Sequence, residues 1–145
     1  MQNTENTDVA ELVLLVDDDL TTLREMRRVL EEIGLRVLAF TAASPALAAA
    51  LSRRPDAIVV AHSGIHVEGL ALADRIRAAR GDDAPAFVAI ARSPAALGPI
   101  ARRAYDVILR KPARVADLVR AIDDALVLRE ARLPMRVPRR ARAGE

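Results

Sequence analysis

Apolar and polar positions alternate along this chain in two different rhythms. Leu12–Val16 is an unbroken apolar run of strand length, the pattern of a strand buried on both faces. From Leu20 the period becomes helical: Leu23, Met26, Leu30 and Ile33 share one face, and Arg24, Arg27, Arg28, Glu31 and Glu32 take the other. Thr21 or Asp19 can cap its start, and Gly34 suits its end. The pair of rhythms then repeats. Strands are predicted at Leu35–Phe40, Ala57–Ala61, Ala86–Ala91 and Tyr105–Arg110. Helices are predicted after Ser44-Pro45 as far as Arg53, at about Leu70–Ala79, after Ser93-Pro94 to about Arg103, and from near Ala113. Pro55 and Gly81 end the second and third helices. Gly98-Pro99 interrupts the fourth, because proline removes a backbone donor there. The last helix turns Val115, Leu118, Val119, Ile122, Ala125 and Leu126 inward.

Strands and helices alternating through short loops imply an α/β fold, with a parallel sheet covered on both faces. Right-handed crossovers make it a doubly wound sandwich. Chemistry in such folds gathers beyond the C-terminal ends of the strands. That rule selects Asp17, Asp18 and Asp19, then Thr41, Ala61 with His62, Ala91 with Arg92, and Lys111 with Pro112.

Composition narrows the picture. A length of 145 residues, 52% of them apolar, suits one domain with a full core. Aromatics supply only 2%, so Ala, Val, Leu and Ile must build that core. The absence of cysteine excludes disulfides, thiolate metal sites and a thiol nucleophile. No apolar run approaches the roughly 20 residues of a membrane helix, and the polar first ten residues do not read as a signal peptide. A soluble cytoplasmic protein is the expectation. The net charge of +2 conceals an asymmetry, with six Arg against two Glu from Arg129 onward. Residues 1–10 read as a flexible lead, 11–129 as the domain and 130–145 as an Arg-rich, disordered tail. That tail has no aromatic for base stacking and carries two prolines, so nucleic acid is not an expected partner.

VLLVDDD at residues 13–19, PDAIVVA followed by HSGIHVEG at 55–69, and AYDVILRKP at 104–112 together resemble the receiver domain of bacterial response regulators. The resemblance covers about residues 11 to 129. It implies a flavodoxin-like (βα)5 fold with strand order 2-1-3-4-5 and a role in two-component phosphorelay signalling, with no enzymatic activity of its own. It also implies that Asp17 and Asp18 form an acidic pocket that holds Mg²⁺. Lys111 would reach across to both, and Lys111-Pro112 would be a cis peptide.

The pattern is broken at its centre. Ala61 stands where the family has its phosphoacceptor aspartate, and a methyl group is neither nucleophile nor metal ligand. Ile90 or Ala91 stands where the family has a switch Thr or Ser, and Ile108 where it has a switch aromatic. The expectation is therefore a stand-alone pseudo-receiver that needs no cofactor, with at most a weak Mg²⁺ site at Asp17 and Asp18. It would act by protein–protein contact through the face of the fourth helix, fifth strand and fifth helix. Its partner would be a histidine kinase, another signalling protein or a second copy in a homodimer.

Two alternatives stay open. VDDDLT fits the D-x-D-x-T motif of haloacid-dehalogenase-like Mg²⁺-dependent phosphatases, with Asp17 attacking and Asp19 as acid/base. Alternatively, the receiver accepts its phosphoryl group at Asp17, Asp18 or His62. His62 and His66 otherwise read as ordinary loop residues without a third ligand at recognisable spacing. No DNA-binding output domain is legible after residue 130.

Overall fold

The computed structural model describes the backbone of residues 10–62 and 67–132, and the side chains of those residues except 62–70. Five strands form one parallel sheet: β1 (Leu12–Val16), β2 (Arg36–Phe40), β3 (Ala57–His62), β4 (Ala86–Ala91) and β5 (Val107–Arg110). Their order is β2-β1-β3-β4-β5, the expected 2-1-3-4-5. The helices are α1 (Leu20–Glu32), α2 (Ala43–Arg53), α3 (Val67–Arg80), α4 (Gly98–Ala104) and α5 (Val115–Arg132). None of the described helices is long and apolar enough to cross a membrane. His66, the first nine residues and the segment beyond Arg132 lie outside the described residues.

Each apolar strand feeds two cores, because successive side chains point to opposite faces. Val13, Leu15, Val59, Val88 and Ile90 pack under α1 and α5. Leu14, Ile58, Val60, Phe87 and Ala89 pack under α2, α3 and α4. Alanine supplies much of the helix side of the second core, at Ala46, Ala50, Ala73, Ala101 and Ala104. Small side chains bring those helices close to the sheet and suit a chain with so few aromatics. Phe87 is the large residue there, with the Arg77 guanidinium 4.4 Å above its ring.

Several boundaries differ from expectation, each for a local reason. Asp19, not Thr21, caps α1: its carboxylate accepts from the backbone N–H of Thr21 and Thr22. Ser44 is no cap, since α2 already begins at Ala43 with no side-chain cap at Ala42. Pro45 still sits in the first turn, where its missing N–H costs nothing. The α3 helix begins at Val67 rather than about Leu70. The Gly98-Pro99 interruption is real: a 3₁₀ turn at Pro94–Leu97 precedes α4, and Gly98 between them has φ +80°.

The largest difference is at the C-terminus. Helix α5 runs to Arg132, past the boundary at 129, because its last turn is tied to the sheet. Arg129 donates through Nε to the Ala84 carbonyl at 2.9 Å and pairs with Asp83 and Asp56, and Arg132 pairs with Asp106. Arg132, expected in the tail, thus belongs to the folded domain together with Arg129.

Candidate functional site

Because all five strands are parallel, their C-terminal ends open on one side of the sheet. An open cavity of about 630 Å³ lies there. Asp17, Asp18 and Asp19 line it from the β1–α1 connection, Ala61 from β3, Ile90 and Arg92 from the end of β4, and Lys111 and Pro112 from the end of β5. The selection by strand ends therefore gathers one site from four separated segments. Thr41 stands apart, in a smaller cavity with Leu20, Leu23 and Phe40.

Asp17 is the deepest charged group, 1% exposed. It is fixed by its backbone N–H donating to the Phe40 carbonyl at 3.1 Å, which extends the β1–β2 ladder by one residue. Its Oδ1 accepts from the Asp19 backbone N–H at 2.9 Å. Its Oδ2 is buried without a hydrogen-bond partner among the described residues. Desolvation pushes the Asp17 carboxyl above its ordinary range, against the Asp19 N–H bond and the positive field of Lys111, which lower it.

The crowding of three carboxylates is thus relieved in two ways. Asp19 turns its charge away to the start of α1, where Thr22 donates both N–H and hydroxyl to it and holds its carboxyl below the usual range. Lys111 offsets Asp17 through its field. The expected direct reach of Lys111 to Asp17 is not present, since Oδ2 has no partner among the described residues. The backbone N–H of Lys111 donates to the Ala91 carbonyl at 2.9 Å, and the Lys111–Pro112 peptide is cis, as the Lys-Pro pair implies.

Register separates Ile90 from Ala91. Ile90 lies opposite Ala61 on the neighbouring strand, and both line the cavity; Ala91 lies opposite His62. Ile108, by contrast, points to the other face of the sheet, against the core that contains Tyr105. Burial beside Arg77 and Asp74 pushes the Tyr105 phenol up to about 12, desolvation being the main cause.

Would Mg²⁺ fit these residues? Oδ2 of Asp17 is a buried oxygen with spare capacity, which suits a cation. Ala61 on β3 presents only a methyl group, and the Asp19 carboxylate is committed to the helix cap. No group of three or more His, Cys, Asp or Glu side chains that could hold a metal ion occurs among the described residues. Asp17 and Asp18 are the carboxylates that would hold a hard cation in this cavity, which would keep most of its waters.

Sequence reasoning missed one feature of the opposite end. Asp56 and Asp106, just before β3 and β5, each accept from a backbone N–H at the start of the neighbouring strand: Leu12, first in β1, at 2.8 Å and Phe87, second in β4, at 2.7 Å. Both also donate their own N–H back to that residue's carbonyl. The shared signal is an Asp directly before an apolar run, in PDAIVV and YDVIL.

No protein-family profile and no curated protein matches the sequence. Solved structures do match. A response regulator receiver domain (CheY-like) from Methylobacillus flagellatus is 26% identical, with a TM-score of 0.71 over 81% of this chain and 99% of that one. The signal receiver domain of a modulated diguanylate cyclase from Desulfovibrio desulfuricans is 25% identical, with a TM-score of 0.69 over 85% and 98%. A CheY-like receiver domain protein from Methanospirillum hungatei is 21% identical, with a TM-score of 0.75 over 85% and 98%. Strand order, the acidic end of β1, the Lys-Pro end of β5 and these neighbours converge: the chain has the fold of response regulator receiver domains.

Proposed function

We propose that this receiver works as a pseudo-receiver, a signalling module that acts through protein contacts without accepting a phosphoryl group. One observation carries the reading. The cavity position on β3 is Ala61, beside Ile90, so the floor beneath Asp17 is hydrocarbon where phosphoryl chemistry needs an oxygen nucleophile and a hydroxyl. With Ile90 at the switch Thr/Ser position and Ile108 at the switch aromatic position, no polar side chain at either place would read a phosphate. No cofactor is required, and any Mg²⁺ bound at Asp17 and Asp18 is held weakly.

The contact face is α4–β5–α5. Strand β5 is a sheet edge, and Ile100 on α4 and Val127 on α5 are 71% and 68% exposed. A histidine kinase or other signalling protein, or a second copy of the chain, would dock there. The phosphatase alternative has less support. Helix α1 begins at Leu20, leaving no room for a flap after the acidic run, and the Asp19 carboxylate needed as acid/base caps that helix. Phosphorylation at Asp17 is disfavoured by burial of its one spare oxygen.

The decisive test is incubation of the full chain with Mg²⁺ and acetyl phosphate, read by intact mass. We expect no phosphoryl adduct. A stoichiometric acyl-phosphate on the wild-type chain would overturn the reading. Ala61→Asp restores one oxygen but not the switch hydroxyl, so little conformational response to the phosphodonor is expected from that variant.

A further inference from the structure

We infer that the corner where β4, β5 and α5 meet is a docking surface for an acidic segment of another protein, one that carries carboxylates beside an apolar side chain. Charge is divided unevenly along the chain. Residues 1–91 hold nine Arg or Lys against fourteen Asp or Glu, whereas residues 92–120 hold seven against two. The fold gathers four of those seven. Arg110 lies opposite Ala91 across the β4–β5 ladder, so Arg92 and Lys111 follow on adjacent strand ends. Arg92, Lys111 and Arg114 line one cavity, and Arg92, Arg110 and Arg114 are exposed.

These arginines have no counter-charge of their own. Elsewhere the chain pairs exposed arginines with its own acids, as Arg27 and Arg28 with glutamates of α1 and Arg54 with Asp83. Arg92, Arg110 and Arg114 form no ion pair among the described residues. Asp106, one of the two acids of their segment, is taken by Arg132. Like charges held together on strand ends repel, and a complementary acidic surface relieves that repulsion. Asp18 and Asp19 line the cavity from the β1 side, and β3 separates β1 from β4 in the sheet. The acidic segment therefore lies over β4, β5 and the start of α5. A protein suits this surface better than a nucleic acid. Val115, 37% exposed, and Pro112 stand beside the cations and line the same cavity. Apolar surface there rewards a hydrocarbon side chain and gives a phosphate backbone nothing. The chain's three aromatics offer no stacking platform at this corner, since Phe87 and Tyr105 are buried and Phe40 is on β2.

This inference rests on the reading that the chain signals through protein contacts, and it names the partner's chemistry. The test is titration of the full-length ¹⁵N-labelled chain with a short helical peptide of Glu, Leu and Ala, with its Lys-for-Glu counterpart and a DNA duplex in parallel. The acidic peptide should bind at roughly 10–100 µM in low salt, with saturable shifts at the amides of Arg92, Arg110, Arg114 and Val115. Arg110→Glu and Arg114→Glu should each weaken it at least about fivefold. Arg75→Glu makes the same change in net charge on the exposed side of α3 and should leave the affinity within about twofold. The inference falls if no saturable shift appears by roughly 1 mM, if Arg75→Glu weakens binding as much as Arg110→Glu, or if the duplex binds as tightly as the acidic peptide. A chain that is dimeric alone and becomes monomeric on Arg110→Glu would give the corner to a second copy and also overturn it. Acyl-phosphate formation in the preceding experiment would sink the phosphate-independent reading and leave this titration unchanged, so the two failures are distinguishable.

Discussion

Asp17 has one oxygen bonded to the Asp19 N–H and the other buried without a partner among the described residues. Burial raises its pKa from the ordinary 3.8, so the native state keeps this proton to higher pH than the unfolded chain does. The stability that comes with the protonated form is complete below 3.8 and is lost as pH rises through the raised native value. At neutral pH the charge is a burden. Asp17→Asn keeps an acceptor for the Asp19 N–H and removes that charge, so it should stabilise the domain at pH 7. The gain should shrink towards zero in acid. Denaturant melts of the two proteins across pH would show it, and a loss of stability at pH 7 would refute the account. Asp19 behaves oppositely. It is a helix cap with three hydrogen bonds from Thr21 and Thr22, and Asp19→Ala should lower stability in the same melts.

The elements differ in how firmly their own residues hold them. Helix α1 has a side-chain cap, three (i, i+3) or (i, i+4) ion pairs, and Leu23, Met26 and Leu30 on its buried face. The pairs are exposed and solvent-screened, so the apolar face dominates its stability. Helix α4 is short, lacks a side-chain cap, and anchors only Ala101 and Ala104. Its amides should therefore exchange with solvent faster than those of α1 or α5, measurable by hydrogen exchange on the native protein. Gly98 permits the turn into α4 at φ +80°, with open space where a Cβ would stand. Gly98→Ala should destabilise by about 1 kcal/mol through backbone strain alone. If α4 exchanges as slowly as α5, it is not the soft element of the proposed contact face.

At the scale of the whole molecule, the two ends of the sheet do different work. The C-terminal end carries the cavity. The N-terminal end is a lattice of Asp56, Asp83 and Asp106 with Arg129 and Arg132 of α5, which fastens the last helix across β3, β4 and β5. Arg129 is mostly buried and also satisfies the Ala84 carbonyl. Arg129→Ala would leave that carbonyl without its Nε donor and remove one of the three arginines around Asp83, and should cost about 1–3 kcal/mol in a thermal or denaturant melt. A change below about 0.5 kcal/mol would show that the lattice is solvent-screened and that packing of Leu118, Ala121, Ile122 and Ala125 holds α5 alone.

Element type and order were legible in the sequence because each is a local property. Continuous apolar runs and a 3.6-residue period need only neighbouring residues to be read, and the strand-end rule then named the acidic run, Ala61 and Lys111-Pro112 together. The alanine at residue 61 was equally plain, since what matters there is a missing oxygen. Other features depended on residues distant along the chain. Register decided that Ile90, not Ala91, faces the acidic end, because side chains alternate and a one-residue shift reverses them. Burial decided that Asp17 and not Asp18 or Asp19 is the charge removed from solvent, since adjacent identical residues look alike until the fold turns them apart. Folding also brought Arg129 and Arg132 onto Asp56, Asp83 and Asp106, so that the start of the segment expected as a tail, as far as Arg132, completes the domain.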